Sequence, residues 1–147
     1  MRTEEVLLVV YRPAPPTMRQ TDAIREFLVL LRSPERHGYW NLVAGGVEEG
    51  ETASAAARRE LLEESGLGKP TRFEPLPLEL GYVRPEGSKV VVHGFLAAAP
   101  QGWEPVLDEE HVEYRWCSPG DADDLLAYPE PREAVAFVAR LLAEEAC

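Results

Sequence analysis

Glu60, Glu63 and Glu64 lie within one short run of helix-forming sequence, and their spacing is what gives them chemistry. At 100° per residue they fall within an arc of about 100° on one helix face. The other residues of that arc, Ala53, Ala56 and Ala57, are all small. Like charges at i,i+3 and i,i+4 cost a helix roughly 0.2–0.5 kcal/mol per pair. A helix that keeps them anyway points to a site, because a divalent cation turns the repulsion into ligation. Hard oxygen ligands suit Mg2+ or Mn2+, and Mg2+ keeps several waters, so few carboxylates suffice. Glu60 and Glu64, at i,i+4, are the leading ligands. Glu63 lies beside them as a further ligand or as a base for an attacking water. The face reads as exposed to solvent and strained by its own charge; the competing reading is a solvated acidic surface without a site.

The surrounding elements decide between these readings. Residues 45–67 form a glycine-rich loop opening into a helix, with Thr52 as N-cap and Gly66 as its stop. The stretch fits Gly-x5-Glu-x7-Arg-Glu-U-x-Glu-Glu-x-Gly-U, with U aliphatic, at all nine specified positions. From average residue usage, chance would produce such a match with a probability on the order of 10⁻⁷ to 10⁻⁶. The stretch resembles the Nudix box, the hallmark of the Nudix hydrolases. That resemblance implies an α+β fold, an α-β-α sandwich around a mixed sheet, and metal-dependent hydrolysis of a diphosphate linkage. It also implies that the backbone carbonyl of Ala44 adds a metal ligand, and that Arg59 and Glu51 pair to orient the glutamates and pin the loop to the helix. Gly45, Gly46 and Gly50 supply a tight turn and close backbone approach. Val43 departs from the proline often found at that position in the family.

Many Nudix enzymes use a further acidic residue on a distant loop, as ligand or base. Asp108, Glu109 and Glu110 are the candidates here. Glu110 is preferred because Glu-His-x-x-Tyr-Arg-Trp, residues 110–116, resembles a segment of the nucleoside-triphosphate and diadenosine-polyphosphate members. The substrate-binding candidates are Arg32, Arg84 and Lys89 for phosphates, Trp103 for stacking, and Tyr82 and Trp40. Trp40 reads as core or as a wall of the site. His93, within an apolar run, reads as a core histidine.

Val6–Tyr11 and residues 27–32 are apolar runs expected as buried strands. The proline-rich segment from Arg12 to about Glu26 reads as a loop. Tyr82 and Val83 are expected to pair with the strand at residues 89–97 across a Pro85-Glu-Gly-Ser turn. In residues 111–117, Val112, Tyr114 and Trp116 alternate as one face of a half-buried strand. A short helix after Pro119 and a longer one starting near Pro131, with Ala134, Val135, Val138, Leu141 and Leu142 at helical spacing, close the chain.

At 147 residues the chain suits a single domain, residues 1–147. The net charge of −11 argues against nucleic acid or an anionic membrane as partner. Cys117 and Cys147 make neither a metal spacing nor a disulfide framework. With no signal peptide and no run approaching a membrane span, a cytoplasmic enzyme, monomer or homodimer, is expected. Its partner is a small nucleotide. A nucleotide-sensing module without catalysis would be expected to have lost box glutamates, and this chain keeps them all. ADP-ribose is disfavoured because Pro75 and Pro77 come too early for the proline of that group. Tyr82 favours a diadenosine polyphosphate, whereas Arg132 and the helix beyond it resemble the dATP and dihydroneopterin-triphosphate pyrophosphohydrolases. A (deoxy)nucleoside triphosphate giving pyrophosphate is the first expectation and a diadenosine polyphosphate the second.

Overall fold

A computed structural model describes residues 3–13 and 25–146; most of the loop expected between Arg12 and Glu26 lies outside them, as does Cys147. In chain order the elements are β1 (Glu4–Arg12), β2 (Glu26–Arg32), a 3-10 turn (Pro34–Arg36), β3 (Trp40–Asn41), β4 (Val43–Gly46), α1 (Ala53–Ser65), β5 (Arg72–Pro75), β6 (Leu80–Val83), β7 (Lys89–Ala98), β8 (His111–Cys117), α2 (Pro119–Leu125) and α3 (Pro129–Glu145).

The sheet is mixed and runs β3-β2-β1-β7-β5, with β4 also on β1, β6 on β7 and β8 on β2. Among the described strands, β1 and β7 form the parallel ladder, Glu4 to Tyr11 lying beside Val91 to Ala98. One edge of β1 is shared. Its start pairs with β4 (Leu7↔Ala44) and its end with β2 (Tyr11↔Phe27).

Alternation along β1 builds two cores. Leu7, Val9 and Tyr11 join Phe27, Val29 and the α3 residues Ala134, Val135, Val138 and Leu142 on one face. Val6, Leu8 and Val10 join Leu28, Leu30, Phe95 and the α1 residues Ala56, Ala57 and Leu61 on the other. A strand with both faces covered has no polar side to show, which is why β1 reads as an unbroken apolar run. The result is the expected α-β-α sandwich. Residues 82–83 pair with β7 as expected, Val83 opposite Lys89.

One expectation changes in detail. Tyr114 and Trp116 pack on the α1 face, but Val112 is exposed. Pro131 lies in the first turn of α3, as expected, with Pro129 opening the helix, where its missing N–H costs nothing. Among the described residues no helix is long and apolar enough to cross a membrane.

Candidate active site

α1 is delimited as its sequence predicts. Thr52 Oγ1 accepts the Ala55 N–H (3.0 Å), and Gly66, at φ 81°, donates its N–H to Leu62 O. The small residues of the acidic arc decide its environment: Ala56 and Ala57 are buried against the sheet, so the face carrying Glu60 and Glu64 turns inward towards β4. The expected exposed acidic face is therefore corrected. Glu64 is only 3% exposed, the Glu60 side chain is 12% exposed, and Glu63 alone is open, at 56%.

Arg59 ties these groups together. Its guanidinium donates twice to Glu51, from Nε at 2.8 Å and Nη2 at 3.0 Å. It also donates to Glu60 Oε1 (2.7 Å) and to the Gly46 carbonyl (2.9 Å). Glu63 Oε2 lies 3.4 Å from Nη1. A planar fork with five donors can serve a loop, a carbonyl and a helix neighbour at once. That Arg59 hydrogen bond, with a lesser one from the Glu48 N–H, holds the Glu51 carboxyl down at about 2.

Gly45 explains how β4 passes so near α1. A methyl group there would overlap the Glu60 carboxyl. Because the obstructed atoms end a flexible side chain, Gly45→Ala is expected to fold with little change in melting temperature and to lose activity by about 10-fold or more, as Glu60 swings away from Glu64. Melting curves and initial rates on the same preparation check this; unchanged turnover would mean that the position of Glu60 is immaterial.

Glu64 is the electrostatic centre. Burial is the largest influence pushing its carboxyl well above the ordinary range, followed by a hydrogen bond shared with Glu60; the Ala44 N–H opposes them. That N–H donates to Glu64 Oε1 at 3.2 Å. In a strand a residue's N–H and C=O lie on one edge, so the Ala44 carbonyl faces the same side. Two neighbouring carboxyl groups, one of them buried beside the Ala44 backbone, are a fitting seat for a cation. Among the described residues no three acidic, histidine or cysteine side chains converge as a closed cage. Two carboxylates suit an ion that keeps much of its water.

The glutamates open into a cleft of about 780 Å3 that Arg32, Arg36, Asp108 and Glu110 also line. Arg36 Nη2 pairs with Glu110 Oε1 at 3.0 Å. A second cavity of about 560 Å3 adjoins it, sharing Glu5, Tyr39, Asn41, Ala44 and Tyr82, and adds Arg84, Tyr128 and Pro131. Tyr82 donates its hydroxyl to Glu5 (2.9 Å); burial and this contact push the phenol up to about 12, so it serves as a donor.

A model of the NUDIX domain matches residues 5–141. The chain belongs to the NUDIX family. This Nudix hydrolase is 33% identical over 107 residues to the asymmetrical bis(5'-nucleosyl)-tetraphosphatase of Mus musculus, covering 71% of this chain and 72% of that protein. It is 31% identical over 140 residues to an octanoyltransferase of Myxococcus xanthus; the match covers 83% of this chain and spans 37% of that protein's length. Among solved structures, a C. elegans Ap4A hydrolase superposes with TM-score 0.78 at 27% identity, over 97% of this chain and 98% of that one. The E. coli dihydroneopterin triphosphate pyrophosphohydrolase gives 0.76 at 26%, over 95% and 97%. The chain is accordingly a pyrophosphohydrolase, of a family that works with a divalent cation.

The fold of the Nudix hydrolase gathers some of the expected residues and disperses others. Glu60, Glu63, Glu64, Ala44, Glu110, Arg32 and Tyr82 share the main cleft, and Arg84 lines the second cavity. Trp40, Lys89 and Trp103 line neither. Neighbouring strand residues point to opposite faces, so Tyr39 and Asn41 face the cleft while Trp40 packs on the α3 core beneath Arg115. Trp103 meets Trp116 edge to face at 6.2 Å on the α1 side. Arg132 donates to the Leu126 carbonyl (2.8 Å), joining α3 to the end of α2. His93 is not core: its half-exposed ring meets Glu4 at 2.8 Å. Sequence reasoning missed Glu5, Arg36, Tyr39 and, above all, His111, whose side chain is wholly buried. Its position beside Glu110 in the 110–116 segment was the available signal.

Proposed function

We propose that the protein hydrolyses a phosphoanhydride bond of a dinucleoside polyphosphate, with Mg2+ or Mn2+ held by Glu60, Glu64 and the Ala44 carbonyl. The observation that carries this reading is the second cavity, of about 560 Å3, which adjoins the main cleft of about 780 Å3 through Glu5, Tyr39, Asn41, Ala44 and Tyr82. The carboxylates line the main cleft, and the tyrosine-lined, less charged second cavity beside it offers a surface for a further nucleoside. Arg132, the residue behind the triphosphate expectation, is engaged with Leu126.

When bound, the cation offsets phosphate charge and makes the attacking water more acidic. Glu63 and Glu110 are assigned the role of receiving that water's proton, a role supported by their openness to the cleft; either could also complete the ligand set. Arg59 and Glu51 keep Glu60 aimed. Arg32 and Arg36 are assigned to the substrate's phosphates, since an acidic protein must hold an anion by local positive charge. Arg32 Nε is buried with no hydrogen-bond partner among the described residues, and so has a donor to offer. A cytoplasmic location belongs to the same reading.

A nucleoside triphosphate is the second reading, supported by the likeness to the E. coli dihydroneopterin triphosphate pyrophosphohydrolase. Products separate the two: diadenosine tetraphosphate and water give AMP and ATP, whereas a triphosphate and water give a monophosphate and pyrophosphate. For the tetraphosphate we expect a kcat/KM at least about tenfold above any triphosphate, which is about 1.4 kcal/mol of transition-state preference. A triphosphate preferred by that margin would reverse the order.

A further inference from the structure

His111 stands at the start of β8 with a side chain that is 0% exposed. Its Nδ1 lies 2.7 Å from Asp108 Oδ1. The same oxygen accepts the Glu110 N–H at 3.2 Å, which holds the aspartate in place. A carboxylate only accepts, so Nδ1 carries the hydrogen of this contact and the ring's orientation is set by it. The other nitrogen, Nε2, is buried and has no hydrogen-bond partner among the described residues. It faces Glu64 Oε1 at 3.9 Å, beyond hydrogen-bond reach, and the atom it faces is the one that already accepts the Ala44 N–H. A buried polar atom left unpaired costs the fold roughly 1–3 kcal/mol. Its presence here, aimed at the most buried acid of the cleft, calls for a function.

We propose that Asp108 and His111 form a positioning arm for Glu64. A small turn of the Glu64 carboxyl closes the gap to Nε2. With a hydrogen on both ring nitrogens, His111 donates from Nδ1 to Asp108 and from Nε2 to Glu64 Oε1, which also accepts the Ala44 N–H, and the second oxygen is presented to the divalent cation. His111 touches neither substrate nor metal; it acts through Glu64. The arm rests on the reading of Glu64 as a metal ligand. Partners that orient a ligand in this way typically change metal affinity by about 10–100-fold.

Two substitutions separate the contacts of the imidazole. In His111→Asn the side-chain amide can still reach Asp108 but falls short of Glu64. In His111→Gln the longer amide reaches the region of Nε2. The readout is the affinity for Mn2+ alone, from the magnetic-resonance signal of free Mn2+, with melting curves in chelator confirming that each variant folds. We expect His111→Asn to weaken Mn2+ binding about 10-fold and His111→Gln to stay within about threefold of the wild type. Unchanged affinity in His111→Asn overturns the arm, and so does an equal loss in both variants, which would assign the effect to ring packing. Should His111→Asn fail to fold, Asp108→Asn on the adjoining loop carries the test: it is expected to weaken binding severalfold, and wild-type affinity would overturn the proposal. Glu64→Gln measured alongside distinguishes the two layers. If it binds Mn2+ like the wild type, Glu64 is no ligand and the underlying reading fails. If it loses binding while both His111→Asn and Asp108→Asn retain it, only the arm fails.

Discussion

Glu64→Gln is expected to lower kcat by at least about 10²-fold and to leave the metal-free protein no less stable than the wild type. Both effects come from burial. The carboxyl is 3% exposed, hydrogen-bonded to Glu60 and held well above the ordinary carboxylate range, so without a cation it sits in the fold as a neutral acid. Glutamine has the same shape. Its carbonyl can keep the Ala44 N–H and its amide can donate to Glu60, but it cannot supply a charged ligand. The pH dependence follows with a definite sign. The folded state keeps a proton that the unfolded chain releases near the ordinary value of 4.5. Stability from this group is therefore complete below about pH 4.5 and is lost as pH rises towards the raised folded value. In chelator, the wild type should lose melting temperature relative to Glu64→Gln as pH rises through neutrality. A variant that melts far below the wild type at every pH would make Glu64 a structural residue.

Exhaustive chelation should abolish turnover altogether, and restoring Mg2+ or Mn2+ should recover it. Because the seat exists only in the folded chain, the cation also stabilises the protein, by about 2.7 kcal/mol at a concentration 100 times its Kd. For a domain of this size that is a rise of roughly 5–10 °C in melting temperature. A variant carrying both Glu60→Gln and Glu64→Gln should show no such rise. Full turnover surviving chelation would remove the metal from the mechanism, and with it the roles given to Glu60 and Glu64.

What the sequence determined by itself is the local part of the site. α1, its Thr52 cap and its Gly66 stop are short-range features, and the Arg59–Glu51 pair, eight positions apart, was implied by the resemblance of the same stretch to the Nudix box. The apolar runs of β1 and β2 were legible because strands covered on both faces lose their alternation. Tertiary structure decided the rest. Helical spacing placed the three glutamates on one face, yet only the packing of α1 on β4 buried Glu64 and left Glu63 in water. The pairing of β3 with β2, Trp40 opposite Leu31, chose Tyr39 over Trp40 for the cleft, because a shift of one residue reverses every side chain of a strand. His111 meets Glu64 across 47 positions of sequence, brought there by β8 pairing antiparallel with β2. No local rule encodes such a contact, since it exists only once the ladders of the sheet have set which edges and faces become neighbours.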